Sequence, residues 1–205
     1  LKEPRDINPI LDVSLHTIPL DLERLFGNTA ECALEIGFGD GDFLIECALA
    51  DPGMNFLGIE IKKRRFNVAV KSALRKKAGN VKFLHMEAVI AARELFPPDS
   101  FSIVYINFPD PWPKDRHEKH RIVNPYFLTL VSGIVKKGGI LELASDHREY
   151  VINSLETLGA MECFSPVFDE PGYVNEIPGR PLTGYEREFR EEGREIYYAK
   201  FTNLK

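Results

Sequence analysis

A strand that runs directly into three alternating glycines constrains the fold of this chain more than any other segment. In Leu34-Glu35-Ile36-Gly37-Phe38-Gly39-Asp40-Gly41-Asp42-Phe43, an apolar run passes through Gly37, Gly39 and Gly41 into a helical pattern. Glycine takes positive φ without steric cost and lets a ligand approach the backbone, so the segment reads as a strand–turn–helix unit with a binding edge. The same rhythm recurs along the chain. Strands are expected at Ala33–Gly37, Asn55–Ile61, Val81–His85, Phe101–Asn107, Gly139–Ser145, Met161–Phe168 and Glu195–Phe201. Helical periodicity falls between them at Leu44/Cys47/Ala48, Phe66/Ala69/Val70/Ala73/Leu74, Phe127/Leu130/Val131/Ile134/Val135 and Val151/Leu155/Leu158. Asn124 and Pro125 suit the cap and first position of the third helix, and Lys136-Lys137-Gly138-Gly139 suits its end. This alternation predicts an α/β fold, a mostly parallel seven-stranded sheet with helices on both faces. The 205 residues contain no internal repeat or Pro-, Gly- or Ser-rich linker, so residues 1–205 are expected to form a single domain.

The glycine turn points to a nucleoside ligand. Gly58-Ile59-Glu60 places a carboxylate at the carboxyl edge of the sheet, where an acid can accept both hydroxyls of a ribose. The spacing is G-x-G-x-G, whereas the dinucleotide fingerprint is G-x-G-x-x-G with pyrophosphate at a helix N-terminus. Glu35, Asp40 and Asp42 flank the turn and would repel a pyrophosphate, which disfavours a nicotinamide enzyme. A carboxylate at Glu35 instead suits the amine and sulfonium of S-adenosylmethionine. Glu87, beyond the third strand, is either placed to reach adenine or an exposed loop acid, and both readings stay open.

Charge sharpens the choice of partner. The net charge is −5, yet between Ile61 and Met86 there is no acid and there are nine basic residues: Lys62, Lys63, Arg64, Arg65, Lys71, Arg75, Lys76, Lys77 and Lys82. A second basic cluster runs from Lys114 to Arg121. Either is a solvated face or a phosphate-binding surface. His117 and His120 lie three apart, but no carboxylate–cysteine set completes a metal site, so they read as phosphate or base contacts. Cys32, Cys47 and Cys163 lack metal spacing and sit among apolar neighbours, as expected of buried thiols in a reducing cytoplasm. No apolar run approaches the ~20 residues that span a bilayer. The chain starts Leu1-Lys2-Glu3-Pro4 without an initiator Met, and a trimmed N-terminal extension is expected.

The chemistry is expected at the fourth strand. Asn107-Phe108-Pro109-Asp110-Pro111-Trp112-Pro113-Lys114 holds three prolines in five residues and the only tryptophan. Such a loop can neither prolong a strand nor enter a helix interior, and it restrains an Asn and an Asp at the ligand-binding edge. This stretch, with Arg116-His117 and Lys119-His120-Arg121, resembles the signature of bacterial tRNA (guanine-N7)-methyltransferases. Ala144-Ser145-Asp146 and Thr183-Gly184-Tyr185-Glu186 extend the likeness, which spans Glu35 to Glu186 in order and spacing.

The resemblance implies a Rossmann-like class I methyltransferase whose last strand is antiparallel, with S-adenosylmethionine as methyl donor. It implies methylation of N7 of a guanosine in tRNA, in the variable loop, by a cytoplasmic enzyme. Glu35, Glu60, Glu87 and Asp110 then match cofactor contacts beside the glycine turn, and Asp110 is also implicated in catalysis. Lys114, Asp146, Thr183, Gly184, Tyr185 and Glu186 match substrate contacts. No metal, membrane or obligate protein partner is expected of a monomer or homodimer. Local pattern offers plainer roles beside these. Asp146 with Glu149, and Thr183 with Glu186, have the spacing of helix N-caps, and Tyr185 either stacks on a base or packs. A methyltransferase for small molecules or proteins, and a non-catalytic RNA-binding module, are the alternatives.

Overall fold

A computed structural model describes residues 8–111 and 121–205. In chain order its main elements are α1 (Leu22–Phe26), β1 (Cys32–Ile36), α2 (Asp42–Ala50), β2 (Asn55–Glu60), α3 (Lys63–Lys76), β3 (Val81–His85) and α4 (Ala88–Glu94). They continue with β4 (Phe101–Asn107), α5 (Pro125–Ile134), β5 (Val135–Ser145), α6 (Arg148–Gly159), β6 (Phe164–Pro166), α7 (Gly184–Glu191) and β7 (Tyr197–Asn203).

The strands form one sheet in the order β3-β2-β1-β4-β5-β7-β6. Pairing is parallel from β3 through β5, and β7 runs antiparallel to both β5 and β6. Parallel pairing brings the carboxyl ends of β1, β2, β3, β4 and β5 to one edge, and the strand order reverses between β1 and β4, where such sheets open a crevice.

Alternation along β1 explains the layers. Leu34 and Ile36 join Leu57, Ile59, Val104 and Ile106 in a core with Leu128, Val131 and Val151 of α5 and α6. Ala33 faces the other way, into a core of Phe43, Leu44, Phe66, Ala69 and Phe83 that α2 and α3 cover. Farther along that second face, Ala144, Ile196 and Tyr198 pack with Phe108 and Phe189, so the segment around α7 takes over the covering. Glu35, Tyr105 and Glu142 stand in register on β1, β4 and β5. No helix among the described residues is long and apolar enough to cross a membrane.

Three expectations need correction. The third helix does not extend into Lys136–Gly139. It ends at Ile134, and Val135 already belongs to β5. Buried Asn203 explains the early stop, because its amide donates to Ser132 O at 3.0 Å and Val135 O at 2.9 Å. The two glycines instead form an irregularity where the β4–β5 register shifts; a Cβ on Gly139 would lie 2.9 Å from Lys136 O and Ser102 O. The sixth strand is three residues long rather than spanning Met161–Phe168, with Pro166 as its last residue. Helix α4, alanine-rich and only seven residues, gave no legible period and was not expected.

Candidate active site

The glycine turn is built around the end of β2. Gly37, Gly39 and Gly41 have φ of 73°, 60° and 81°. Gly39 N donates to Glu60 Oε2 at 3.0 Å and Lys62 N to Glu60 Oε1 at 2.7 Å. Glu60 thereby holds the turn and the start of α3 with one lone pair from each oxygen, leaving others for a ligand. Gly41 caps α2, and a Cβ there would lie 2.6 Å from Ala69 Cβ. Only glycine satisfies both the backbone angle and the close approach of α3.

Glu35 is 2% exposed. Its Oε1 accepts from Asn107 Nδ2 at 2.8 Å, and its Oε2 has no partner. Burial pushes the carboxyl pKa up to about 7, although the Asn107 hydrogen bond and the nearby Arg180 charge oppose the rise. Asp40 Oδ1, in the turn itself, is likewise shielded and without a partner. Two partnerless carboxylate oxygens beside a positive-φ turn fit a ligand that brings cationic donors and exclude a pyrophosphate. The residues present therefore fit the ammonium end of S-adenosylmethionine.

The other expected residues that the structure describes lie at or near the same edge with varied roles. Glu87 is the N-cap of α4, accepting from Val89 N at 3.0 Å and Ile90 N at 2.9 Å. Asp110 is exposed, just beyond Phe108, whose φ is 48° and whose N donates to Ala144 O at 2.8 Å. Lys114, Trp112, His117 and His120 lie outside the described residues. Asp146 follows β5 but is not the cap of α6. His147 occupies that position, and Asp146 pairs with Arg194 at 2.9 Å.

Thr183 does cap α7, accepting from Glu186 N at 2.9 Å. Glu186 does not complete the box by bonding back. It is 0% exposed and binds Arg180, Arg190 and the Tyr198 hydroxyl. The N-terminus of α7 reaches across to the glycine turn, since a Cβ on Gly184 would sit 3.1 Å from Asp42 Oδ2. Tyr185 accepts a hydrogen bond from Arg65 of α3, and its ring stacks on Phe189 with centroids 6.0 Å apart. Among the described residues, no cluster of three His, Cys, Asp or Glu side chains is arranged to hold a metal.

Sequence reasoning placed Asn107 at the ligand-binding edge without naming its partners, and overlooked Arg180 and Glu142. A signal for the last existed. Glu142 interrupts the apolar run Ile140-Leu141-Glu142-Leu143, and a carboxylate in mid-strand needs a buried cation. Arg180 supplies it, with Nε 2.5 Å from Glu142 Oε1.

The sheet order, the antiparallel last strand and the acid-flanked glycine turn define a Rossmann-like methyltransferase domain. The family model described as putative methyltransferase matches residues 29–199. The chain belongs to the tRNA (guanine-N(7)-)-methyltransferase family. It is 34% identical over 200 residues to such an enzyme from Klebsiella pneumoniae, covering 98% of this chain and 84% of the relative. With the Halorhodospira halophila enzyme it shares 38% over 178 residues, 87% of this chain and 77% of the relative. The solved structure of TrmN from Thermus thermophilus superposes with a TM-score of 0.61 at 17% identity, over 89% of this chain and 47% of that one, which shows the fold alone.

Proposed function

We infer that this chain transfers the methyl group of S-adenosylmethionine to N7 of a guanosine in the variable loop of tRNA. The observation that carries the reading is the buried, partnerless Oε2 of Glu35 beside the glycine turn, in a chain of this family. S-adenosylmethionine supplies a methyl group activated by its sulfonium charge. Glu35 and Asp40 hold the cationic amino-acid end, Glu60 the ribose, and Glu87 lies at the adenine side. Guanine N7 carries a free lone pair and no proton, so no strong general base is needed. The protein's task is alignment for in-line displacement, and orientation alone can contribute up to ~7–11 kcal/mol in well-ordered model reactions. Methylation leaves the ring cationic, and Asp110 stabilises that developing charge from its proline-held loop. Lys114, Asp146 and the Thr183–Glu186 segment position the RNA. Buried Glu186 acts in this through α7 rather than by direct contact.

Docking of phosphates falls to α3. Lys63, Arg64 and Arg65 occupy its first turn with no acid, where the helix dipole disfavours cations by ~0.3–1 kcal/mol each. Among the described residues Lys62, Lys63, Arg64, Lys71, Arg75 and Lys77 make no ion pair. Cations set against the dipole in the first turn, with further unpaired cations along the helix at Lys71 and Arg75, serve a polyanion better than they serve the helix start. We expect tRNA binding to weaken steeply with salt, and Lys71→Glu and Arg75→Glu each to lower the salt slope by about one while leaving cofactor affinity intact. An unchanged slope in filter-binding titrations would remove α3 from the interface.

In A-form RNA the major groove that carries N7 is deep and narrow, so a loop guanosine is the accessible target. A transcript with adenosine in place of the variable-loop guanosine should accept no methyl group. Undiminished acceptance would move the target elsewhere in the tRNA.

A further inference from the structure

The sheet face between α2 and α7 holds a buried charge cluster that neither the turn nor the core requires. At its centre is Arg180, whose side chain is 5% exposed. Its donors engage three separate elements. Nε reaches Glu142 Oε1 of β5 at 2.5 Å, Nη2 reaches Asn107 Oδ1 at the end of β4 at 2.5 Å, and Nη1 reaches Glu186 Oε2 of α7 at 3.1 Å. The guanidinium also lies 4.4 Å from the ring centroid of Phe43 in α2 and 5.0 Å from that of Tyr198 in β7. Lys200 at 3.0 Å from Glu142 and Arg190 at 3.1 Å from Glu186 complete the cluster.

Such a cluster is a poor device for stability alone, because well-packed apolar groups of the same volume do as well or better. What it supplies is register. The guanidinium is a rigid planar fork, and its partners can all be met in only one arrangement of β4, β5 and α7. The consequence runs to the cofactor carboxylate. With its Oδ1 taken by Arg180, the Asn107 amide must present Nδ2 to Glu35, and that bond at 2.8 Å leaves Glu35 Oε2 for the ligand. A continuous polar chain therefore joins Glu186 on α7 to Glu35 through Arg180 and Asn107. The first residue of the same helix also approaches the far side of the glycine turn, through Gly184 against Asp42.

We propose that Arg180 is a positioning residue that couples RNA docking on α7 to Glu35, so that tRNA and cofactor each tighten the other's binding. This rests on the function inferred above. Reciprocity is then obligatory, because the two affinities share one coupling free energy.

The test measures binding of S-adenosylhomocysteine, which cannot react, with and without saturating unmethylated tRNA. For the wild type we expect roughly fivefold or greater tightening, the lower range of ordinary coupling. Arg180→Lys keeps the charge and loses the fork, and Glu186→Gln keeps the shape and loses the charge. In both, the ratio should fall toward one. A merely structural brace would instead lower the melting temperature while the folded protein kept the wild-type ratio. Wild type that binds no tRNA overturns the functional reading and this proposal together. A wild-type ratio of one, or a ratio that survives in whichever variant folds, overturns this proposal alone.

Discussion

Glu35→Gln should lose S-adenosylmethionine affinity and at the same time make the cofactor-free protein more stable above pH 7. Removing one partner of a buried, hydrogen-bonded charge pair costs ~2–5 kcal/mol, which is roughly 30-fold to several thousand-fold in Kd. The stability change follows from the direction of the pKa shift. The folded chain holds a proton on Glu35 up to about pH 7, whereas the reference value is 4.5. Between those values the folded state binds more protons than the unfolded state, so stability falls as pH rises through the window and stays lower above it. At one unit to 1.36 kcal/mol, the penalty at pH 8 amounts to at most roughly 3 kcal/mol, and Gln, which cannot ionise, is free of it. Urea titrations at pH 5 and pH 8 check this. The variant's advantage should appear at pH 8 and shrink toward pH 5. Wild-type cofactor affinity should rise from pH 6 to pH 8 and then level, with protons released on binding below pH 7. A variant that binds the cofactor normally, or one without any gain at pH 8, would contradict the role given to Glu35.

Asp110→Ala should lower kcat by about 10²–10³, the usual cost of deleting one preorganised electrostatic contact to a developing charge. Cofactor affinity should change far less, since the proposed function gives the principal contacts to Glu35, Asp40 and Glu60. The restraint on Asp110 is physical. Pro109 and Pro111 bracket it, Phe108 N is tied to Ala144 O at 2.8 Å, and Arg121 Nε donates to Pro111 O at 3.2 Å. An exposed acid on a free loop would reorganise as charge develops, and one held at both sides does so less. Single-turnover rates with pre-bound cofactor separate this effect from binding. Near-normal turnover in the variant would remove Asp110 from the reaction.

The sheet was legible in the sequence because parallel strands buried on both faces read as apolar runs, and glycines mark the turn that only they can make. Glu35 and Glu60 were legible for the same reason, as acids at fixed remove from that turn. What escaped depended on contacts distant in sequence. The end of α5 is set by Asn203, a residue 69 positions beyond Ile134, so basic residues and glycines after the helix gave a false stop signal. Arg180 stands alone between Gly179 and Pro181, and its partners come from β4, β5 and α7. The T-x-x-E pattern at Thr183 was half right, because the threonine caps while the glutamate turns inward to the buried arginine.

The most direct measurement is transfer of labelled methyl from S-adenosylmethionine to unmodified tRNA, followed by digestion and nucleoside analysis. The account predicts label in 7-methylguanosine. Label in another nucleoside, or none at all while the cofactor binds, would contradict it.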